Sequence, residues 1–228
     1  MRRIGSSVVV LAALALKCGA FLFPLASVSQ HDARQRTTSL FSTTTTQTVS
    51  EVEASLEQLK KVLTKEYATF FDPMEREYYA DSVNFIDPLT DLEGVQAYQN
   101  NVDMLSGRTL FGSLLFRDAS INLHSITGGQ VTEKDNEINI TNIVTRWTLR
   151  FTFKALPWTP TPRFSGISNY TIKAGGPRGV QVLQQEDCWD SINLIEREYQ
   201  QVSKGVALSH FIDQIKPSNF DAPAAGPE

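Results

Sequence analysis

The chain has 228 residues, 41% of them hydrophobic, with 21 basic residues against 25 acids and a formal net charge of −4 at pH 7. Five of the basic residues and one of the acids fall in the first 50 positions, so the remaining 178 residues carry 16 against 24, a net charge of −8. Such an acidic body argues against nucleic acid or an anionic membrane as partner, while its length suffices for one hydrophobic core. Cys188 is the one cysteine after position 50, which excludes an intrachain disulfide in that body.

Met1-Arg2-Arg3 precedes an apolar run from Val8 to Leu16, and Cys18-Gly19-Ala20 offers small residues for cleavage. The run has the length of a signal-peptide core and falls well short of the roughly 20 residues a membrane span needs. Residues 1–20 therefore read as a signal peptide, leaving no membrane span in the mature protein. Residues 21–50 hold one acid (Asp32), two arginines (Arg34, Arg36) and the tract Thr43-Thr44-Thr45-Thr46, a transit-peptide composition. Phe21 directly after the small-residue site, with Pro24 close behind, resembles the bipartite presequence of algae with complex red plastids. Plastid is the expected location, with secretion as the alternative.

Ser50 and Glu53 form a capping box, and Val52, Leu56, Leu59, Leu63 and Phe70 recur near the helical period, predicting a helix over about 51–70. Asp72-Pro73-Met74-Glu75 predicts a short second helix carrying Tyr78 and Tyr79. Phe85-Ile86-Asp87-Pro88 reads as a strand stopped by proline. Thr90 and Glu93 then cap a third helix with Val95, Tyr98, Val102 and Leu105 on one face, closed by Gly107. From Leu110 the period changes to two, predicting strand structure over about 112–127 and 137–153, then strands 164–172 and 179–191 joined by the turn Ala174-Gly175-Gly176-Pro177-Arg178. Leu208, Phe211, Ile212 and Ile215 mark a helix within 201–217, and residues 218–228 are linker-like. Helices followed by antiparallel strands are an α+β order, with three N-terminal helices covering a curved antiparallel sheet around an apolar pocket.

Several motifs carry a resemblance: Phe85-x-Asp87-Pro88 between helices, Arg146-Trp147-Thr148, Leu156-Pro157-Trp158, Gly166-x-Ser168-x-Tyr170 and Asp187-x-Trp189-Asp190. In this order they resemble the plant and algal plastid branch of the SnoaL-like superfamily, a domain of unknown function. The likeness covers about residues 55–200 and sets a SnoaL-like domain at 51–200. It implies the cone fold of ketosteroid isomerase and nuclear transport factor two. Where the usual pattern has a His before Asp-x-Trp-Asp, this chain has Gln185. Some members continue into a SOUL haem-binding domain, and the tail resembles the linker toward one. That association implies a haem or other tetrapyrrole as ligand, and the open sheet face of cone folds implies a homodimer.

Asp87 and Asp187, with Tyr78 or Tyr79, supply the parts of an acid–base site of the ketosteroid isomerase kind, with Asp87 as base and the class isomerase, cyclase or dehydratase. An Asp before Pro is also a common turn former. Trp147, Trp158, Tyr170 and Trp189 offer an aromatic lining for a hydrophobic small molecule, though aromatics at alternating strand positions also build cores. Arg146 offers a guanidinium for a ligand carboxylate or else lies on a solvated strand face. His124 and His210 lack a second ligand at metal spacing, so no metal site is expected. The readings that remain are a binder of a hydrophobic molecule, an enzyme with an Asp base, and a dimerisation scaffold.

Overall fold

The structure, a computed structural model, describes residues 47–135, 137–190 and 203–217. The signal and transit segments up to residue 46, Phe21 among them, and the linker-like tail from 218 lie outside the described residues. No helix among those described is long and apolar enough to cross a membrane.

Helix α1 (Val49–Thr69) opens on a capping box formed by Thr48 and Glu51. The expected box at Ser50 and Glu53 lies two residues further on, inside the helix; overlapping Ser/Thr-x-x-Glu patterns make both legible, and the earlier one starts the helix. Its apolar face buries Val52, Leu56, Leu59, Val62, Leu63 and Tyr67. Burial of each large aliphatic side chain there is worth about 1.5–3 kcal/mol.

The short second helix contracts to one 3-10 turn, Arg76–Tyr78. Tyr79 is instead taken up by the sheet, where it opens β1 (Tyr79–Ile86) and pairs with Val182. Thr90 does not cap the third helix. Its carbonyl accepts from the backbone N–H of Asp87 in a tight turn, and Asp91–Glu93 forms β2 against β1. Helix α2 (Val95–Leu105) follows Gly94, whose φ of 96° suits glycine alone. A helix, α3 (Leu110–Leu115), stands at the start of the expected first strand, because the Thr109 hydroxyl caps the N–H of Gly112. Strand β3 (Phe116–Gly128) then leads to a separate hairpin, β4 (Val131–Lys134) and β5 (Glu137–Ile140), which splits the long strand expected from 137.

Strand β6 (Ile143–Phe153) keeps only the later part of the expected 137–153 strand, while β7 (Arg163–Ala174) and β8 (Val180–Asp190) match expectation closely. The main sheet has the order β2-β1-β8-β7-β6-β3, antiparallel except for the parallel pair β1 and β8. Bulges between Arg117 and Ser120, Leu123 and Ser125, and Thr171 and Ile172 bend it. Helices α1 and α2 lie on one face, an α+β arrangement. Helix α4 (Lys204–Ile215) packs Phe211 on Phe164 and Trp189, with ring centroids 6.0 Å apart in both pairs.

Three rungs cross the centre of the sheet. Ile143, Tyr170 and Gln185 lie abreast, then Thr145, Ser168 and Asp187, then Trp147, Gly166 and Trp189. Gly166 is the floor beneath the Trp147 indole, because an added Cβ would stand 2.6 Å from two ring atoms and 2.7 Å from the Cys188 carbonyl oxygen. Gly166→Ala is therefore expected to destabilise the fold by about 1–3 kcal/mol through overpacking. Urea unfolding followed by tryptophan fluorescence measures this; an unchanged midpoint and an unchanged native emission spectrum would refute the close-packing account.

Candidate functional site

A cavity of about 70 Å³ opens between α1, α2 and the three rungs. Its walls are mostly apolar: Phe71, Phe85, Val102, Leu149, Trp147 and Trp189 contribute. Strand alternation puts the odd-numbered residues of β6, the even-numbered ones of β7 and, beyond the bulge, the odd-numbered ones of β8 from Gln185 on this face. Two carboxylates, Asp87 and Asp187, line the same hollow, together with Tyr67, Tyr98, Asn101 and Gln185.

Asp87 stands just beyond the end of β1. Its Oδ1 accepts from the backbone N–H groups of Leu89 and Thr90, both at 2.6 Å, so it forms the turn that precedes β2 and lines the cavity at once. Burial pushes its carboxyl above the usual range, opposed by a hydrogen bond from the Thr90 side chain, then by the two backbone N–H groups and the charge of Lys204. Asp187, on β8, is pushed up to about 7, first by burial and then, against hydrogen bonds from Ser168 and Gln185, by the charges of Asp87 and Glu186. It keeps intermediate exposure and lines the hollow.

A closed polar network surrounds it. Tyr98 donates to Gln185 Oε1 at 2.6 Å, Gln185 Nε2 donates to Asp187 Oδ1 at 2.9 Å, and the Trp147 indole donates to Ser168 Oγ at 2.8 Å. The Tyr67 hydroxyl shares hydrogen bonds with Thr145, Ser168 and Tyr170 at 2.8, 2.9 and 3.0 Å. Burial raises the pKa of both Tyr98 and Tyr170, keeping these phenols protonated. Phe85 stacks on the Tyr98 ring at 4.7 Å, which holds that hydroxyl over β8.

Among the residues expected from the sequence, Asp87, Asp187, Trp147 and Trp189 are brought together around the cavity. Tyr170 is fully buried behind it and reaches the network through Tyr67. Four others stand elsewhere. Tyr79 donates to Glu66 Oε2 at 2.6 Å and is absent from the cavity wall, because it belongs to the start of β1 rather than to a helix. Tyr78, the alternative to it, is buried in the 3-10 turn. Trp158 lies in the β6–β7 connection and donates to the Ile215 carbonyl at 2.9 Å, securing α4. Arg146 is half-buried at the β6 position between Thr145 and Trp147, away from the cavity wall. His124 hydrogen-bonds Thr148 at 2.7 Å, and no group of three metal-ligating side chains occurs among the described residues.

Sequence reasoning passed over Tyr67, Tyr98, Ser168 and Gln185 as site residues. Tyr67 follows Leu63 by one helical turn and Tyr98 lies on the apolar face of α2, so helical phase was the available signal. Glu66 was also missed. It is fully buried, with Oε1 accepting from the Glu75 N–H at 2.7 Å and Oε2 from Tyr79. Burial pushes it up to about 7. Because the folded value exceeds that of the unfolded chain, its neutral form favours folding fully below about 4.5, and this stability is lost as pH rises toward 7. Glu66→Gln should remove that loss, gaining up to about 3 kcal/mol relative to wild type between pH 4.5 and 7. Melting temperatures of both proteins across that range test it, and parallel curves would contradict the assignment.

Solved structures similar to this chain have low sequence identity to it and TM-scores below 0.5. A proposed polyketide cyclase from Xanthomonas campestris pv. campestris is 13% identical, covering 59% of this chain and 90% of its own, with a TM-score of 0.39. A nuclear transport factor 2-like superfamily protein from Salmonella enterica serovar Typhimurium is 10% identical, covering 67% and 100%, with a TM-score of 0.43. A proposed scytalone dehydratase from Novosphingobium aromaticivorans is 10% identical, covering 63% and 89%, with a TM-score of 0.41. No curated protein matches the sequence. A family model described as "Uncharacterized conserved protein (DUF2358)" matches residues 57–177, from α1 through β7 to the turn before β8, and the chain belongs to that family.

Proposed function

We propose that the chain binds a small hydrophobic carbonyl compound in this cavity and moves a proton on it through Asp187. The observation that supports this reading is the pairing of Asp87 and Asp187 in one apolar hollow, with Asp187 pushed up to about 7. A carboxyl of that pKa is present as acid and as base at neutral pH, which suits removal and return of a proton beside a carbonyl. Asp87 takes the complementary role. Its Oδ1 is occupied by two backbone N–H groups, burial favours its neutral form, and a proton on Oδ2 donates toward an oxyanion. The roles expected from the sequence thereby shift, with Asp187 rather than Asp87 as base. This is an isomerase- or dehydratase-type chemistry.

The full chain is assayed with a β,γ-unsaturated cyclic ketone, and formation of the conjugated enone is followed by absorbance. Turnover should rise with pH through about 7 as Asp187 ionises and fall again where Asp87 loses its proton. Asp187→Asn should lower it by about a hundredfold or more. Saturable binding without turnover, unaltered by Asp187→Asn, would leave a binder rather than an enzyme. Haem and protochlorophyllide serve as large flat ligands in the same binding titration, because a tetrapyrrole is the other ligand class to which the family resemblance points. The cavity, with room for on the order of five water positions, favours the compact ketone.

The same proposal assigns residues 1–50 to delivery into a plastid, supported by Ala20-Phe21 and by the acid-poor tract that follows. Fused to a fluorescent protein, these residues should direct it to the plastid, and Phe21→Ala should divert it. Secretion of the unaltered fusion would overturn the assignment.

A further inference from the structure

Gln185 is 3% exposed and lies between Tyr98 on α2 and Asp187 two residues along β8. The two ends of its amide are used differently. Oε1 accepts the Tyr98 hydroxyl at 2.6 Å, while Nε2 donates to Asp187 Oδ1 at 2.9 Å and reaches Ser168 Oγ at 3.3 Å. With the Tyr98 phenol donating to Oε1, the opposite end of the amide, which can only donate, faces Asp187. On the other side, Ser168 accepts the Trp147 indole at Oγ, shares a hydrogen bond with Tyr67, and also hydrogen-bonds Asp187 in the sense that lowers its pKa. Donors thus converge on one carboxylate from both sides.

We propose that Gln185 is a positioning residue: held by Tyr98, it keeps Oδ1 of Asp187 an acceptor and confines the carboxyl proton, whenever present, to Oδ2. A proton on Oδ1 would confront the Nε2–H group across 2.9 Å. This rests on the reading of Asp187 as the proton-exchanging group and adds which of its oxygens does the exchange. The other groups acting on Asp187 are the charges of Asp87 and Glu186, with the buried phenols of Tyr67, Tyr98 and Tyr170 around it. A change at Gln185 that keeps its neutral volume leaves those groups in place.

Carbon-13 NMR of aspartate-labelled full chain follows the Asp187 carboxyl through pH. In Gln185→Met its titration should move upward by about one pH unit, a tenfold change in ionisation constant, because a hydrogen bond to the charged form is lost. Tyr98→Phe keeps the ring on Phe85 but frees the amide to turn, and should move the titration the same way by less. Gln185→His should restore it, since a neutral imidazole accepts from Tyr98 on one nitrogen and donates to Asp187 from the other. A Met variant that titrates with wild type, or below it, overturns the proposal. Should that variant fail to fold, Tyr98→Phe decides: an upward shift supports the proposal and its absence refutes it. A wild-type Asp187 titrating in the ordinary carboxylate range would remove the proton-transfer reading, while the displacement between wild type and Met variant would still decide the positioning role.

Discussion

The rung of Thr145, Ser168 and Asp187 is the constraint on which the interior depends. Register in a sheet is all or nothing for side-chain direction, since a slip of one residue turns every side chain to the other face. Were β8 displaced by one position against β7, Asp187 would leave the hollow and Cys188 would enter it. The Tyr67 hydroxyl, reaching from α1 to Thr145, Ser168 and Tyr170 together, ties the helix to this register. Helix and sheet therefore specify one another through polar contacts placed inside an otherwise apolar core.

Such contacts are costly unless complete. A buried polar group without a partner costs about 1–3 kcal/mol, which is why these groups are linked to one another rather than scattered. Glu66 and Asp187 show two versions of this balance. Glu66 commits both oxygens to structural donors, the Glu75 N–H and the Tyr79 hydroxyl. Asp187 lines a cavity, and its interactions leave it able to respond to whatever enters. The difference between a structural and a chemical carboxylate here lies in what each faces, since burial pushes both up to about 7.

Much of the fold could be read from local patterns, and the reading failed where tertiary pairing overrode them. Strands β6, β7 and β8 were plain from their alternation and from the glycine turn between the last two. The second helix was not, because Asp72-Pro73 carries a helix-start signal while Tyr79 is claimed by a strand about a hundred residues away. For the site, Asp87, Asp187, Trp147 and Trp189 were legible as types in a plausible order. Which tyrosine served the site was not, since Tyr79 and Tyr98 differ only in where their backbones sit. Gln185 stood out only as a departure from the family's usual His, which does not reveal a role. An amide acquires a role only from its two neighbours, and one of these comes from a distant helix.

The parallel pairing of β1 with β8 has a consequence for the order of assembly. Phe85 meets Gln185 across about a hundred residues of intervening chain, in the longest-range pairing of the described sheet. Closing so long a loop is slow compared with forming the local hairpins of β6 to β8, so the antiparallel pairs have the kinetic advantage. Asp87 and Asp187 then come together only when the first strand docks on the last. Until β1 docks on β8, the two acids are apart and each is free to ionise in water. The hollow that buries both, and the chemistry it permits, begins with the final closure of the sheet.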